Sequence, residues 1–300
     1  MAIGEYRDGD DAVGAAARAL RSDRVRGAMQ LAARAVEMLP QLLQHEPTRD
    51  VRAVVRALAM ARPSMVAIAN AVALSAAPLI RGEIGREALA ARADAHLARW
   101  MQEGEVLSRT ALSHIPTVVL TYSNASTTRA ALLMHKARLA SVIVPEGRPI
   151  DDGKRLAETL AAAGIPITTI TEAQFGAWVP QVEAIIVGAD TVGPDGSVYN
   201  HMGTATLALL AREHGVPMVS LTHTLKIAPF DRPEDTAEEN DPAEIWANPP
   251  PGVAVRNLTF DRTPPDRITV VTERGVLTDA LRAEVVAAHA EAWRVCGLDG

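Results

Sequence analysis

A change of rhythm near residue 113 does most to limit what this 300-residue chain can fold into. Up to about residue 110 the sequence reads as helix after helix. Ser22 or Asp23 stands where it can cap a helix over 24–39, whose apolar positions Met29, Leu31, Ala32, Val36 and Leu39 recur at three and four. Further helices are expected at about 48–61, 64–78 and 83–102, punctuated by Pro47, Pro63 and Arg81-Gly82. Beyond residue 113, short β-rich runs take over: PTVVLT (116–121), SVIVP (141–145), PITTI (166–170), EAIIVG (183–188), PMVSLT (217–222) and RITVVT (267–272). Helical stretches over 125–138, 151–163, 203–214 and 278–293 alternate with them. Such alternation builds βαβ units with right-handed crossovers and a parallel sheet covered on both faces. The expected class is α/β, with a helical N-terminal domain (1–110) followed by a mostly parallel α/β sheet domain (111–300).

Composition narrows the function. A formal charge of −6 gives no long-range attraction to nucleic acid or to an anionic membrane, although a few local arginines can still hold a small anion. Cys296 is the only cysteine, which excludes an intrachain disulfide or a cysteine metal cluster and fits a reducing compartment. The start of the chain lacks the basic and apolar blocks of a secretory signal. The apolar run over 63–80 is short for a membrane span and carries Asn70, two serines and two prolines, so it reads as a buried helix. The expected location is cytoplasmic. Residues 229–251, dense in carboxylates and prolines, read as a long surface loop.

The segment EAIIVGADTVGPDGSVYNHMGT (183–204) is the richest in chemistry. It reads as a buried strand delivering Asp190 to the carboxyl end of a sheet, then a turn at Gly193–Gly196. Asn200-His201-Met202-Gly203-Thr204 then opens a helix-prone segment, whose Gly-Thr start leaves backbone N–H groups free for an anion. Other polar segments fall at strand ends or helix starts: Tyr122 to Thr128, Glu146-Gly147-Arg148-Pro149, His223-Thr224-Leu225-Lys226, Arg26-Gly27-Ala28 and Arg62-Pro63-Ser64. Each alone has a plain structural reading, since Ser and Thr cap helices and loop arginines are commonly solvated. Lys226 stands out because only three of the thirty basic residues are lysines. Arg26, Arg62, Arg148 and Lys226 gathered around Asp190 have the composition suited to a doubly anionic sugar phosphate and an acid/base group.

Seven ordered segments carry a resemblance: VRGA (25–28), RPSMVAIANA (62–71), VVLTYSNAS (118–126), VPEGRPIDDGKRLA (144–157), IIVGADTVGPDGSVYNHMGT (185–204), LTHTLK (221–226) and VRNLTFDRTPPDRITVVTERGV (255–276). From Arg24 to about Val276 the chain resembles the superfamily holding methylthioribose-1-phosphate isomerase, ribose-1,5-bisphosphate isomerase and the alpha, beta and delta subunits of translation initiation factor 2B. The resemblance implies a helical domain on a Rossmann-like domain, a homodimer formed through the C-terminal domain with FDRTPP (260–265) at its surface, and no cofactor or metal. It implies phosphate contacts from Arg26, Gly27, Ala28, Arg62 and Arg148, sugar contacts from Asn200 and Lys226, and Asp190 as acid/base group.

Two departures from the isomerase pattern bear on catalysis. Their Thr-His-Cys-Asn is here Thr121-Tyr122-Ser123-Asn124, so Ser123 stands for the thiol that works with the aspartate. Their Asn-Lys pair is Asn200-His201. An alcohol does not exchange a proton near neutrality without an adjacent base, whereas a thiol does. Asp190 alone, with Ser123 only hydrogen-bonding, or His201 beside it, is left to move the proton. Two functions therefore stand: an aldose–ketose isomerase acting on a ribose-1-phosphate derivative, or a non-catalytic sugar-phosphate-binding regulatory or assembly subunit. A dinucleotide-dependent oxidoreductase is set aside, because no Gly-x-Gly-x-x-Gly follows an expected strand.

Overall fold

The computed structural model describes residues 11–231 and 238–299. Five helices come first: α1 (Ala12–Ser22), α2 (Ala28–His45), α3 (Val51–Ala59), α4 (Val66–Ile80) and α5 (Leu89–Thr110). The alternating part holds β1 (Val118–Tyr122), α6 (Ser126–Met134), β2 (Ser141–Pro145), α7 (Asp152–Ala162), β3 (Ile167–Ile170), α8 (Phe175–Trp178) and β4 (Ala184–Val187). It continues through β5 (Thr191–Val192), β6 (Val198–His201), α9 (Thr204–Glu213), β7 (Met218–Leu221), β8 (Phe260–Thr263), β9 (Thr269–Thr272), β10 (Gly275–Val276) and α10 (Asp279–Cys296). The α/β class expected from the sequence is the one observed. Asp23, however, does not cap α2. Its carboxylate accepts the N–H groups of Val25 and Arg26, each at 3.0 Å, and holds a tight turn. The helix begins later, with Gly27 at the N-cap.

The main sheet runs β10-β9-β7-β4-β1-β2-β3, parallel except for the β10 edge. Side chains alternate across it. Leu120 and Tyr122 enter one buried face with Ile185, Val187 and Leu207, while Val119 enters the other with Val142, Ile186 and Leu221. The expected strands match the observed ones closely because each is a short, apolar, β-branched run between breakers.

A second sheet, β5-β6-β8, is antiparallel and was not anticipated. It corrects the reading of Asn200 and His201, which lie on β6 rather than at a helix start. Asn200 pairs with Asp261 and His201 with Phe260 in its register.

The helical part and the sheet are joined by shared elements. α5 carries Leu89, Ala93 and Trp100 into the helical core and Leu107 into a sheet face. Trp293 and Cys296 of α10 are buried with α2, α3 and α4. α4, the apolar run of the sequence, is buried on nearly every side, as a helix without a polar face must be. Its one amide, Asn70, is fully satisfied. Nδ2 donates to the carbonyls of Leu225 (2.8 Å) and Ile227 (2.9 Å), and Oδ1 accepts from Trp293 Nε1 at 2.8 Å. No helix among the described residues is long and apolar enough to cross a membrane.

Over 238–251 the chain is a largely exposed loop, as its composition suggested, but one end of it is tied down. Residues 232–237 lie outside the described residues. From Glu238 onward the chain is a strap along one side of a cleft, which Asn240, Glu244 and Ile245 help to line. Glu238 reaches back to the helical part, where Arg62 donates to it from Nη2 at 2.8 Å and Nε at 3.0 Å, Arg24 donates at 2.8 Å, and the Ser64 hydroxyl donates as well. Composition could not show this, because the arginines that neutralise the strap are about 175–215 residues away in the chain.

Candidate active site

Strand order reverses between β1 and β4: β2 and β3 continue one way, β7 and β9 the other. In an open parallel sheet the crevice at such a switch point is where ligands bind. Tyr122 pairs with Val187 in register, so the residues that follow, Ser123 on one strand and Gly188-Ala189-Asp190 on the other, emerge side by side. Ser123 takes a left-handed φ of 64°, which turns the chain off the sheet toward α6. Gly188 is required by the close passage of that turn: a Cβ there would lie 2.4 Å from Ala125 Cβ.

A cleft of about 1330 Å³ opens at this point. Ser123, Asp190, Arg26, Gly27, Ala28, Arg62, Arg148, Asn200, His201 and Lys226, the ten residues singled out from sequence, all line it. Its walls carry eight arginines and lysines against four carboxylates, which makes the cleft locally positive within an acidic chain.

Asp190 lies at the floor. Its carboxylate has no hydrogen-bond partner among the described residues, while its N–H donates to Tyr199 O at 2.9 Å. Burial pushes this carboxyl above the usual aspartate range, against the pull of Lys226, Arg62 and His201. Lys226 is buried beside it and donates to Ala189 O at 2.5 Å. Burial lowers the lysine ammonium, opposed by Asp190. Asn70 holds the carbonyls on either side of Lys226, and His289 Nδ1 contacts Ile227 O at 2.8 Å. The lysine is therefore fixed by α4 and α10 rather than by its own loop.

The arginines are not equivalent. Arg62 is bound to Glu238, and its third nitrogen donates to Asp23 O at 3.0 Å. Arg26 pairs with Asp23 at 2.6 Å. Arg148 is exposed, and its side chain has no partner among the described residues; only its N–H is engaged, by Glu172 at 3.2 Å. Burial would push Glu238 up, but the bonds from Arg62, Ser64 and Arg24 outweigh it and hold the carboxyl low. What Glu238 contributes to anchoring the strap is present above the usual glutamate range of pH and is lost as pH falls through its depressed value.

The helix start at Gly203-Thr204 is not free for an anion, which corrects the sequence reading. Asp261 of β8 already accepts the N–H groups of Gly203 (2.7 Å) and Ala205 (3.1 Å). Two other helix ends border the cleft: α6 at Ala125 has no side-chain cap, while at α2 the Gly27 N–H already donates to Gln30 Oε1 at 3.3 Å and only the N–H groups beyond it are left for a ligand. Asn200 Nδ2 is turned inward onto Thr204 Oγ1 at 3.0 Å.

Several lining residues were not singled out from sequence: Asp152, Arg129, Arg155, Arg256 and the strap residues Asn240 and Glu244. Asp152 is the most telling. One oxygen accepts the Asn124 N–H at 3.0 Å, and the other is buried against Gly147 without a partner among the described residues. Its only sequence signal was its position at a helix start.

Away from the cleft, Glu103, His223 and Glu273 bring ligand-type atoms within 4.8 Å of one another. The Leu225 N–H donates to His223 Nδ1 at 3.1 Å, so the ring proton is on Nε2, which donates to Glu103 at 2.9 Å. That tautomer offers no lone pair to a cation. The cluster is a brace between α5 and the Lys226 loop.

Fold and site define a class: a helical N-terminal region followed by a mostly parallel α/β sheet, with an acid at the switch point inside a cationic cleft. The chain belongs to the initiation factor 2 subunit family, whose pattern it matches over residues 24–279. It is 33% identical to methylthioribose-1-phosphate isomerase of Chloroflexus aurantiacus, over 88% of this chain and 86% of the relative. It is 29% identical to ribose 1,5-bisphosphate isomerase of Haloferax volcanii, over 75% of this chain and 74% of the relative. A solved structure of the Pyrococcus horikoshii translation initiation factor eIF-2B superposes with a TM-score of 0.74 at 27% identity, covering 89% of this chain and 97% of that one.

Proposed function

We propose that this protein is a sugar-phosphate isomerase converting a ribose 1-phosphate derivative, of the ribose 1,5-bisphosphate or methylthioribose 1-phosphate type, from aldose to ketose. The observation that carries this reading is Asp190: an unpartnered carboxyl, raised by burial, at the switch point of a cleft rich in arginine. Arg26, Arg148 and the N-terminal ends of α2 and α6 supply donors for phosphate. Lys226 and Asn200 supply donors and acceptors for sugar hydroxyls. The named relatives act on phosphorylated riboses, which supports the substrate class. A homodimer formed through the sheet domain, in the cytoplasm, completes the reading; light scattering tests the dimer.

The deciding experiment is an NMR turnover assay over a panel of phosphorylated riboses. Ketose signals appearing from an aldose 1-phosphate support the enzyme. Binding without turnover supports the second reading, a non-catalytic sugar-phosphate-binding regulatory subunit, which Ser123 in the thiol position favours. No binding to any pentose phosphate removes both.

Two further outcomes are expected. Arg148→Ala removes the free guanidinium and weakens binding by about 10-fold or more, a loss of about 1.5–3 kcal/mol for a charged hydrogen bond, read by calorimetry. Ser123→Cys adds a group that exchanges protons near neutrality and raises the turnover rate; a clear fall would show that the hydroxyl has a task of its own.

A further inference from the structure

We propose that His201 is the second proton-transfer residue of this site, acting through Nε2, with Tyr122 as the positioning residue that fixes its tautomer. The inference rests on the isomerase reading above and assigns the task that Ser123 cannot perform.

The hydrogen-bond count around Tyr122 sets the tautomer. Its hydroxyl has one proton, and that proton goes to Met202 O at 2.6 Å, a carbonyl that can only accept. Toward His201 Nδ1, 3.2 Å away, the phenol oxygen can then only accept, so Nδ1 carries a hydrogen. In the neutral ring Nε2 is left with a bare lone pair. Nε2 has no partner among the described residues, and the side chain is partly exposed on the cleft wall. The phenol is a firm support: Tyr122 is buried, its ring meets that of His201 edge-on at 5.4 Å, and a third ring, Phe175, lies behind it at 5.6 Å. Burial pushes the phenol far up, so it stays protonated and keeps this arrangement across the working pH range. Asp190 and Asp261 are carboxyls that the imidazole influences electrostatically.

Ser123, by contrast, has no base within hydrogen-bonding distance among the described residues, so its hydroxyl is not activated. With His201 the step balances. The bond from C1 to the ring oxygen breaks with its electron pair on oxygen, which takes a proton from Asp190. The hydrogen on C2 passes to C1 with its electron pair. The 2-hydroxyl gives its proton to His201 Nε2, and its O–H pair closes the C2 carbonyl. Return of that proton from His201 to Asp190 resets the site, and no external oxidant or reductant is needed.

The test uses the full-length protein with ribose 1,5-bisphosphate as probe. Nitrogen-15 NMR of the imidazole above neutral pH is expected to show His201 as the Nδ1–H tautomer. His201→Asn, which keeps a donor toward Tyr122 but no base, is expected to lower kcat by about 10²–10⁴ with little change in KM. His201→Ala is expected to regain part of the rate on addition of imidazole. An Nε2–H tautomer, or a variant within about three-fold of wild-type kcat, overturns the assignment while leaving the isomerase reading in place. An inactive wild type removes the isomerase reading and this assignment with it.

Discussion

Replacing Asp190 by asparagine is expected to abolish ketose formation, lowering turnover by at least about 10²–10⁴, while sugar-phosphate binding stays within a few-fold. Asparagine has the same shape but cannot give or take a proton. The donors for phosphate, Arg26, Arg148 and the ends of α2 and α6, are untouched by the change, so affinity and rate separate. The pH profile carries a second signature. Burial raises the Asp190 carboxyl, so it keeps its proton at a pH where a solvated aspartate has lost it. A rate that needs the protonated carboxyl is then retained above the ordinary aspartate range and declines as pH rises through the raised value. Single-turnover NMR assays with calorimetry on the same variant check both claims. Turnover within tenfold of wild type would show that the proton is moved by another group.

Asp261→Ala is expected to cost about 2–4 kcal/mol of stability, because two backbone donors, Gly203 N–H and Ala205 N–H, lose their acceptor in a partly buried setting. At about 2–4 °C per kcal/mol for a large domain, thermal unfolding should shift visibly downward. Asp261→Asn keeps one acceptor and should lose about half as much. The effect should reach the cleft, since Asp261 pairs in register with Asn200 and its neighbour Phe260 pairs with His201. Weaker sugar-phosphate binding in Asp261→Ala, despite its distance from Arg148, is the expected companion result. A midpoint unchanged from wild type would mean that water replaces the carboxylate at the start of α9.

The elements that could be read from sequence share a property. β1, β2, β4 and β7 are apolar, β-branched runs with breakers on both sides, and α4 is apolar all round, so each declares itself within its own residues. The second sheet did not. β5 has two residues, β6 and β8 carry Asn200, His201, Asp261 and Arg262, and their pairing joins residues about 60 positions apart. Nothing local marks them as strands. The anchoring of Glu238 was hidden for a similar reason: its partners, Arg24, Arg62 and Ser64, come from the other end of the chain.

From sequence alone came the α/β class, the family resemblance and the cast of cleft residues, since periodicity, breakers and ordered motifs are properties of neighbours along the chain. Tertiary structure alone decided the state of that cast. Arg62 and Arg26 are already paired and Arg148, among the described residues, is not; the α9 end is occupied while that of α6 is uncapped; Tyr122 sets the proton on His201. Charge pairing, capping and tautomers depend on distances of about 3 Å between groups the chain keeps far apart, and only folding sets those distances.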